Sequence, residues 1–242
     1  MKTKRAPARA KVRPKKSTAV AGGAFSGWSR SALQFFAGLE RDNSKTYFEA
    51  NRQVYDMDVR RPMELLLEEL RRDVGTGWET KIFRINRDLR FTKDKRPYQE
   101  HIGAVLTSGQ RAAGFYVQLS TGGLYTAIGG HELAPDQVAR YREAVARSDG
   151  EQLARIVGRL IAQGYDLSDP SLKRVPPGYE AGHPRADLLR RTSMLASRNM
   201  ATGPWLHSPE ALKRVRQAWK DARPLCEWLD SHIGPSRSPR GR

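Results

Sequence analysis

The hydrophobic period of this chain changes twice, and that switch limits the folds open to it. Between residues 29 and 74 apolar side chains recur at three- and four-residue intervals, the spacing that lines one face of an α-helix. Ser29 is expected to cap a helix through Leu39, with Leu33 and Phe36 inward and Gly38 near its end. Asn43 or Ser44 is expected to open a longer one carrying Phe48, Tyr55, Val59, Met63, Leu66, Leu67, Leu70 and Val74. Pro62 has no N–H to donate, so a kink or restart is predicted near Arg61. Gly75 and Gly77 stop the helix.

From residue 81 the period falls to two. Phe83 and Ile85 alternate with Arg84 and Asn86 in a half-buried strand over residues 81–88, and residues 101–107 form a second candidate. Phe115, Val117 and Leu119 then alternate with Tyr116, Gln118 and Ser120, and Thr121, Gly122 and Gly123 turn the chain into a partner strand over 124–129. Short links between these strands favour antiparallel pairing.

The helical period then returns. A helix is predicted over 135–145, packing through Val138 and Tyr141. Asp149 and Gln152 read as a capping box for the next, which carries Leu153, Ile156, Val157, Leu160 and Ile161 and stops at Gly164. A Pro- and Gly-rich connection spans 165–186, a short helix is expected within 187–197, and Ser208-Pro209 opens the last helix through Leu212, Val215 and Trp219. Pro224 is expected to interrupt it before Leu225, Trp228 and Leu229. Helices, strands, then helices give an α+β fold: a central antiparallel sheet of about four to six strands flanked by N-terminal and C-terminal helices.

Charge sorts the chain into three parts. Of 43 Lys and Arg against 26 Asp and Glu, eight (Lys2, Lys4, Arg5, Arg9, Lys11, Arg13, Lys15 and Lys16) lie in residues 1–22 with no acid among them. Arg237, Arg240 and Arg242 close the chain, so most of the net +17 belongs to the termini. Residues 1–24 therefore read as a disordered basic arm, 25–234 as one α+β domain and 235–242 as a disordered basic tail. An arm of that composition neutralises phosphates and releases counterions, which gives nucleic-acid affinity without sequence preference.

The single cysteine, Cys226, excludes a disulfide framework and a Cys-based zinc site. No run of about 18 apolar residues marks a membrane span, and the N-terminus has no apolar signal core. A cytoplasmic protein with no membrane partner is expected, its oligomeric state open. The five His show neither HExxH nor i,i+4 spacing, and no Walker loop, dinucleotide fingerprint or GxSxG elbow is present. No metal or cofactor is therefore expected.

The densest polar run is Arg84-Ile-Asn-Arg-Asp-Leu-Arg-Phe-Thr-Lys-Asp-Lys-Arg-Pro-Tyr98, followed by His101. In a continuing strand Arg84, Asn86, Asp88 and Arg90 share one face, with Lys93, Asp94 and Lys95 at a turn. Arg84, Arg87, Arg90, Lys93, Lys95 and Tyr98 thus form a candidate set for phosphate or carboxylate oxygens, since Arg offers a bidentate fork and Lys a point charge. Asp88, Asp94, His101 and His183 are the groups available for proton transfer. Opposed to this is an ion-pair network that holds the loop, with Tyr98 as a packing anchor. A second cationic candidate spans 172–179 and 183–187, where His183 precedes a proline. The pairs Gly122-Gly123 and Gly129-Gly130, the latter beside His131, fit backbone approaching a ligand but fit turn chemistry better.

These segments together resemble a conserved family known as domain of unknown function 2461. The resemblance rests on Phe35-Phe-Ala-Gly-Leu39, on Asp42-Asn-Ser-Lys-Thr-Tyr-Phe-Glu-Ala-Asn51 with Tyr55, on residues 81–98, on the hairpin from Gly114 to Gly130, and on Val175-Pro-Pro-Gly-Tyr179 with His183-Pro184. It spans roughly 25–232. One departure is Tyr47, where members usually carry Trp. The resemblance implies an α+β domain and no established reaction, so it carries over no catalytic residue. The first expectation is a domain that binds a phosphate- or carboxylate-bearing ligand through the 84–98 cluster, with an enzyme among the outcomes. The alternatives are a nucleic-acid-associated protein tethered by its arm, and a structural or protein-interaction module without catalysis.

Overall fold

A computed structural model describes residues 23–90 and 93–237. The helices begin with α1 (Arg30–Arg41), which buries Ala32, Phe35, Phe36 and Leu39. Ser29 stands at its N-cap, but the side chain accepts nothing from the first turn, and its hydroxyl is buried without a partner. The entry is held instead by Trp28, whose N–H donates to Leu206 O at 3.0 Å and whose indole donates to Val59 O at 3.3 Å.

Ser44 caps α2 (Lys45–Ala50) by accepting from Tyr47 N at 3.1 Å. A further helix follows as α3 (Arg52–Val54), a π-helical turn (Tyr55–Arg60) and α4 (Arg61–Val74). The interruption expected from Pro62 is that wide turn: a proline in the first turn of α4 removes a donor that the preceding coil no longer needs.

The sheet contains β1 (Glu79–Ile82), β2 (His101–Thr107), β3 (Gly114–Ser120) and β4 (Gly123–Gly130) as a meander. After α5 (Pro135–Ala146) and α6 (Asp149–Ala162), the chain adds β5 (Asp166–Leu167), α7 (Ala186–Leu189), β6 (Met194–Met200) and α8 (Glu210–His232). The strand order is β1-β2-β3-β4-β6-β5, antiparallel throughout. The fold is α+β with helices flanking an antiparallel sheet of six strands, as the change of period predicts.

Several local expectations fail, each for a physical reason. The strand predicted over 81–88 ends at Ile82, and Phe83 is 41% exposed, because the backbone leaves β2 after Phe83 N donates to Gly103 O at 2.9 Å. The short helix expected within 187–197 is the brief α7 followed by β6, whose Met194 and Ala196 are fully buried. The capping box at Asp149 does not form: Ser148 is the N-cap and Asp149 lies in the first turn. Ile161 points outward at 54% exposure while Leu153, Ile156, Val157 and Leu160 face the core.

α8 runs through Pro224 unbroken, because burial of Leu212, Val215, Trp219, Ala222, Leu225 and Leu229 along one side outweighs one missing hydrogen bond. Ser208 helps start it, accepting from Glu210 N at 3.3 Å. At the chain's end, Ser236 Oγ and Arg237 N both donate to the Asp136 carboxylate at 2.8 Å, so the described chain stays tied to α5 past the expected boundary at 234.

The two faces of the sheet differ. Phe115, Val117 and Leu119 of β3 and Leu124, Thr126 and Ile128 of β4 lie under the helices, with Phe115 stacked on Trp219 of α8 at 4.2 Å. Tyr116, Gln118, Ser120 and Tyr125 take the opposite face, half-buried. The glycines that frame β4 serve the ladder with β6. Gly123 (φ +114°) and Gly129 (φ +135°) adopt backbone that favours glycine, and a Cβ there would lie 2.2 Å from Met200 O and 2.0 Å from Met194 O. The close approach that these glycines allow is that of β6.

Candidate anion-binding loop

Residues 85–99 leave the sheet after β1 and return to begin β2, and their backbone closes on itself. Arg87 N donates to Pro97 O at 2.9 Å, Gln99 N donates to Ile85 O at 2.7 Å, and Asn86 and Tyr98 form an antiparallel bridge. The base is anchored from the helical part. Asn43 Oδ1 accepts from Tyr98 N at 2.9 Å, and Asn43 Nδ2 donates to Tyr98 O at 3.2 Å, so one side-chain amide stands in for a strand residue. Tyr98 is 5% exposed and stacks on Phe48 at 4.5 Å. Of the predicted anion contacts, Tyr98 is therefore the one the structure places in the core, as an anchor.

Above this base, one local unit occurs twice. Asp88 Oδ1 accepts from Arg90 N at 3.2 Å while the Arg90 guanidinium donates to both carboxylate oxygens, at 2.9 and 2.6 Å. Asp94 Oδ1 accepts from Arg96 N at 3.0 Å while the Arg96 guanidinium donates to the same carboxylate at 2.7 Å. In each Asp-x-Arg unit a carboxylate closes a turn and fixes the guanidinium two residues on. Arg87 Nη1 reaches Asp94 Oδ2 at 2.6 Å, Arg96 also pairs with Glu100, and Lys95 Nζ donates to Leu89 O at 3.0 Å. Arg96 was not among the predicted site residues, although the Asp-x-Arg repeat in the sequence marks it.

Arg90 holds Asp88 well below the ordinary carboxylate range, chiefly through its side-chain hydrogen bonds, with Arg84 adding a smaller attraction. Arg96 and then Arg87 do the same for Asp94. Both carboxylates are thus kept ionised and engaged. His101, at the start of β2, is pushed toward the neutral form by burial and by the Arg87 charge.

Between residues 84 and 98 six cations (Arg84, Arg87, Arg90, Lys93, Lys95, Arg96) face two carboxylates, so pairing both carboxylates leaves a positive surplus. The side chains of Arg90 and Arg96 are 75% and 50% exposed, and Arg84 and Lys93 are exposed as well. Two surface clefts lie elsewhere: one of about 290 Å³ includes Arg155, Trp228 and His232, and one of about 450 Å³ includes Arg71, Arg72 and Trp78. The loop presents its charge outward.

His183 stands apart from this network, in the connection before α7, where its Nδ1 accepts from Arg185 N at 3.0 Å. The second cationic candidate is a clamp on α5. Arg185 donates to the carbonyls of Val145, Ala146 and Arg147 at 2.7–3.1 Å and caps that helix's C-terminus. Among the described residues no three His, Cys, Asp or Glu converge as a metal site, and no helix is long and apolar enough to cross a membrane. The arm cations Lys2 to Lys16 lie outside the described residues.

The family described as a conserved hypothetical protein, DUF2461, matches residues 31–228, most of the chain. The chain belongs to this family. The matched region runs from α1 into α8 and includes the whole 84–98 loop. No curated protein and no solved structure matches the chain.

Proposed function

We propose that the 84–98 loop binds phosphate groups on an open surface. The observation that carries this reading is the surplus of exposed cations on a loop whose base is fixed by hydrogen bonds. Asp88 and Asp94 hold the guanidinium groups in place, and Arg84 and Lys93 stand outward beside them. Guanidinium groups oriented in advance lose less freedom on meeting an anion, and a planar fork suits phosphate oxygens. Carboxylates that stay ionised in Arg forks are poor proton acceptors, which supports a binding role for the loop over a catalytic one. A second reading, tethering to nucleic acid through the arm, is supported by the eight cations and no acid in residues 1–22.

The test is calorimetric titration of the full chain with tripolyphosphate, against the double variant Arg84→Gln, Lys93→Gln. Neither residue is part of the Asp-x-Arg units, so the loop remains in place. A drop in affinity of tenfold or more supports the proposal. Equal binding by both chains assigns the affinity to the arm and refutes it.

A further inference from the structure

Resting on that phosphate-binding reading, we propose that the face of the sheet opposite the described helices, beside the loop, stacks the bases of a single-stranded nucleic acid whose phosphates the loop takes. Cross-strand register puts Phe83, Gly103, Gln118, Tyr125 and Asn199 in one row, and Lys81, Val105, Tyr116, Ala127 and Ser197 in a neighbouring row on the same face. Three rings therefore cross the sheet in sequence. Phe83 lies 6.3 Å from Tyr116, and Tyr116 lies 6.1 Å from Tyr125. Lys81 Nζ sits 5.4 Å from the Phe83 centroid, at the start of the track.

Gly103 gives Tyr116 its room. A Cβ at that position would lie 2.5 Å from the Tyr116 hydroxyl, so a larger residue would push the ring from its place over β2. The Tyr116 hydroxyl is held by Gln118 Oε1 at 2.7 Å, which fixes the ring's tilt. The same face offers hydroxyl and amide groups at Ser120, Ser197 and Asn199 for base edges. His101 begins β2 on the same face, directly after the loop, which joins the aromatic track to the loop.

The occupant follows from two complementarities. An aromatic side chain as large as Phe83 left 41% exposed forfeits the burial that normally drives it inward, and it continues into two half-buried tyrosines. The rings are tilted to one another, by 46° between Phe83 and Tyr116 and 66° between Tyr116 and Tyr125, so each takes the ring of a separate base. The charge beside the track is positive, from Lys81 and the loop, so those rings come on a polyanion. Bases in a duplex keep their faces to one another, whereas a single strand exposes them for stacking on aromatic side chains.

The experiment is fluorescence anisotropy of the full chain with labelled oligo(dT), oligo(U) and a duplex of equal length, over a range of salt. It compares wild type, Phe83→Leu, Tyr125→Ala and the Arg84→Gln, Lys93→Gln chain. Phe83→Leu keeps an apolar side chain at an exposed position, so its fold is preserved, and circular dichroism checks both aromatic variants. Single strands should bind more tightly than the duplex. Each aromatic variant should lose about tenfold with the salt slope unchanged, while the cation variant flattens the slope. The difference between oligo(U) and oligo(dT) reads whether the 2′-hydroxyl is sensed. Wild-type affinity in folded Phe83→Leu and Tyr125→Ala chains, or equal binding of duplex and single strand, overturns the stacking platform. An unchanged slope and affinity in the cation variant overturns the phosphate reading instead.

Discussion

Replacing Asn43 by Ala tests whether one side chain holds the loop. Its amide accepts from Tyr98 N at 2.9 Å and donates to Tyr98 O at 3.2 Å, with a longer contact to Glu100 at 3.4 Å. Truncation leaves a backbone donor and a backbone acceptor unpartnered on a residue that is 5% exposed. Each such group costs about 1–3 kcal/mol. Asn43 is itself half-buried, so some water reaches the gap, and the total expected is about 2–4 kcal/mol. Asn43→Asp keeps the acceptor for Tyr98 N, loses the donor and adds a charge near Glu100, so it should fall between wild type and Asn43→Ala.

Urea unfolding followed by tryptophan fluorescence reads the loss as a midpoint lower by about 1 M or more for Asn43→Ala. Hydrogen exchange should show that the bonds between residues 85–87 and 97–99 open before the rest of the sheet. A midpoint shift below about 0.2 M, with exchange at Tyr98 unchanged, would falsify the view that Asn43 fixes the loop's base.

Three further outcomes are expected. Asp88, Asp94, Asp136 and Asp187 have carboxyls held below their unfolded range by hydrogen bonds, from Arg90, Arg96, the Arg237 backbone and Arg191 respectively. The stability they confer is complete above the unfolded pKa of about 4 and drains as pH falls below it. Urea midpoints should be level from pH 7 to about 5 and fall beneath about 4, less steeply in Asp94→Asn; a flat profile to pH 2.5 rules this out. Cys226 is buried and its thiol is pushed up to about 12, so iodoacetamide at pH 8 should modify it only as fast as the chain unfolds. Rapid labelling of the native chain would contradict that burial. Gly129→Ala forces a Cβ to within 2.0 Å of Met194 O at positive φ and should lower stability by at least about 2 kcal/mol, read as a lower thermal midpoint.

What could be read from the sequence follows the range of the interactions involved. β3 and β4 pair across a tight turn, and the alternation of β3 with the glycines that follow it marks the hairpin to within a residue. β6 pairs with β4 only after α5, α6 and a long connection, and its Arg198 and Asn199 dilute the alternation, so nothing local separates it from the helix-like run before it. The trace it leaves is at its partner: Gly123 and Gly129 are glycines because β6 lies against them. In the loop, the sequence names the charged residues but not their pairing. That pairing depends on Asn43, more than fifty residues earlier, and on the closure of 85–99. The open aromatic face was hidden for a similar reason: Phe83 looks like a core residue until the chain leaves β2 just beyond it.

The two outermost strands are the shortest, four residues in β1 and two in β5. A sheet recruits a foreign strand through unpaired amides and carbonyls at its border, and such short borders give an incoming chain little to zip onto. β1 adds Lys81 and then bends away into the loop, which shortens that border further. Self-association by edge-to-edge growth is therefore discouraged at both ends.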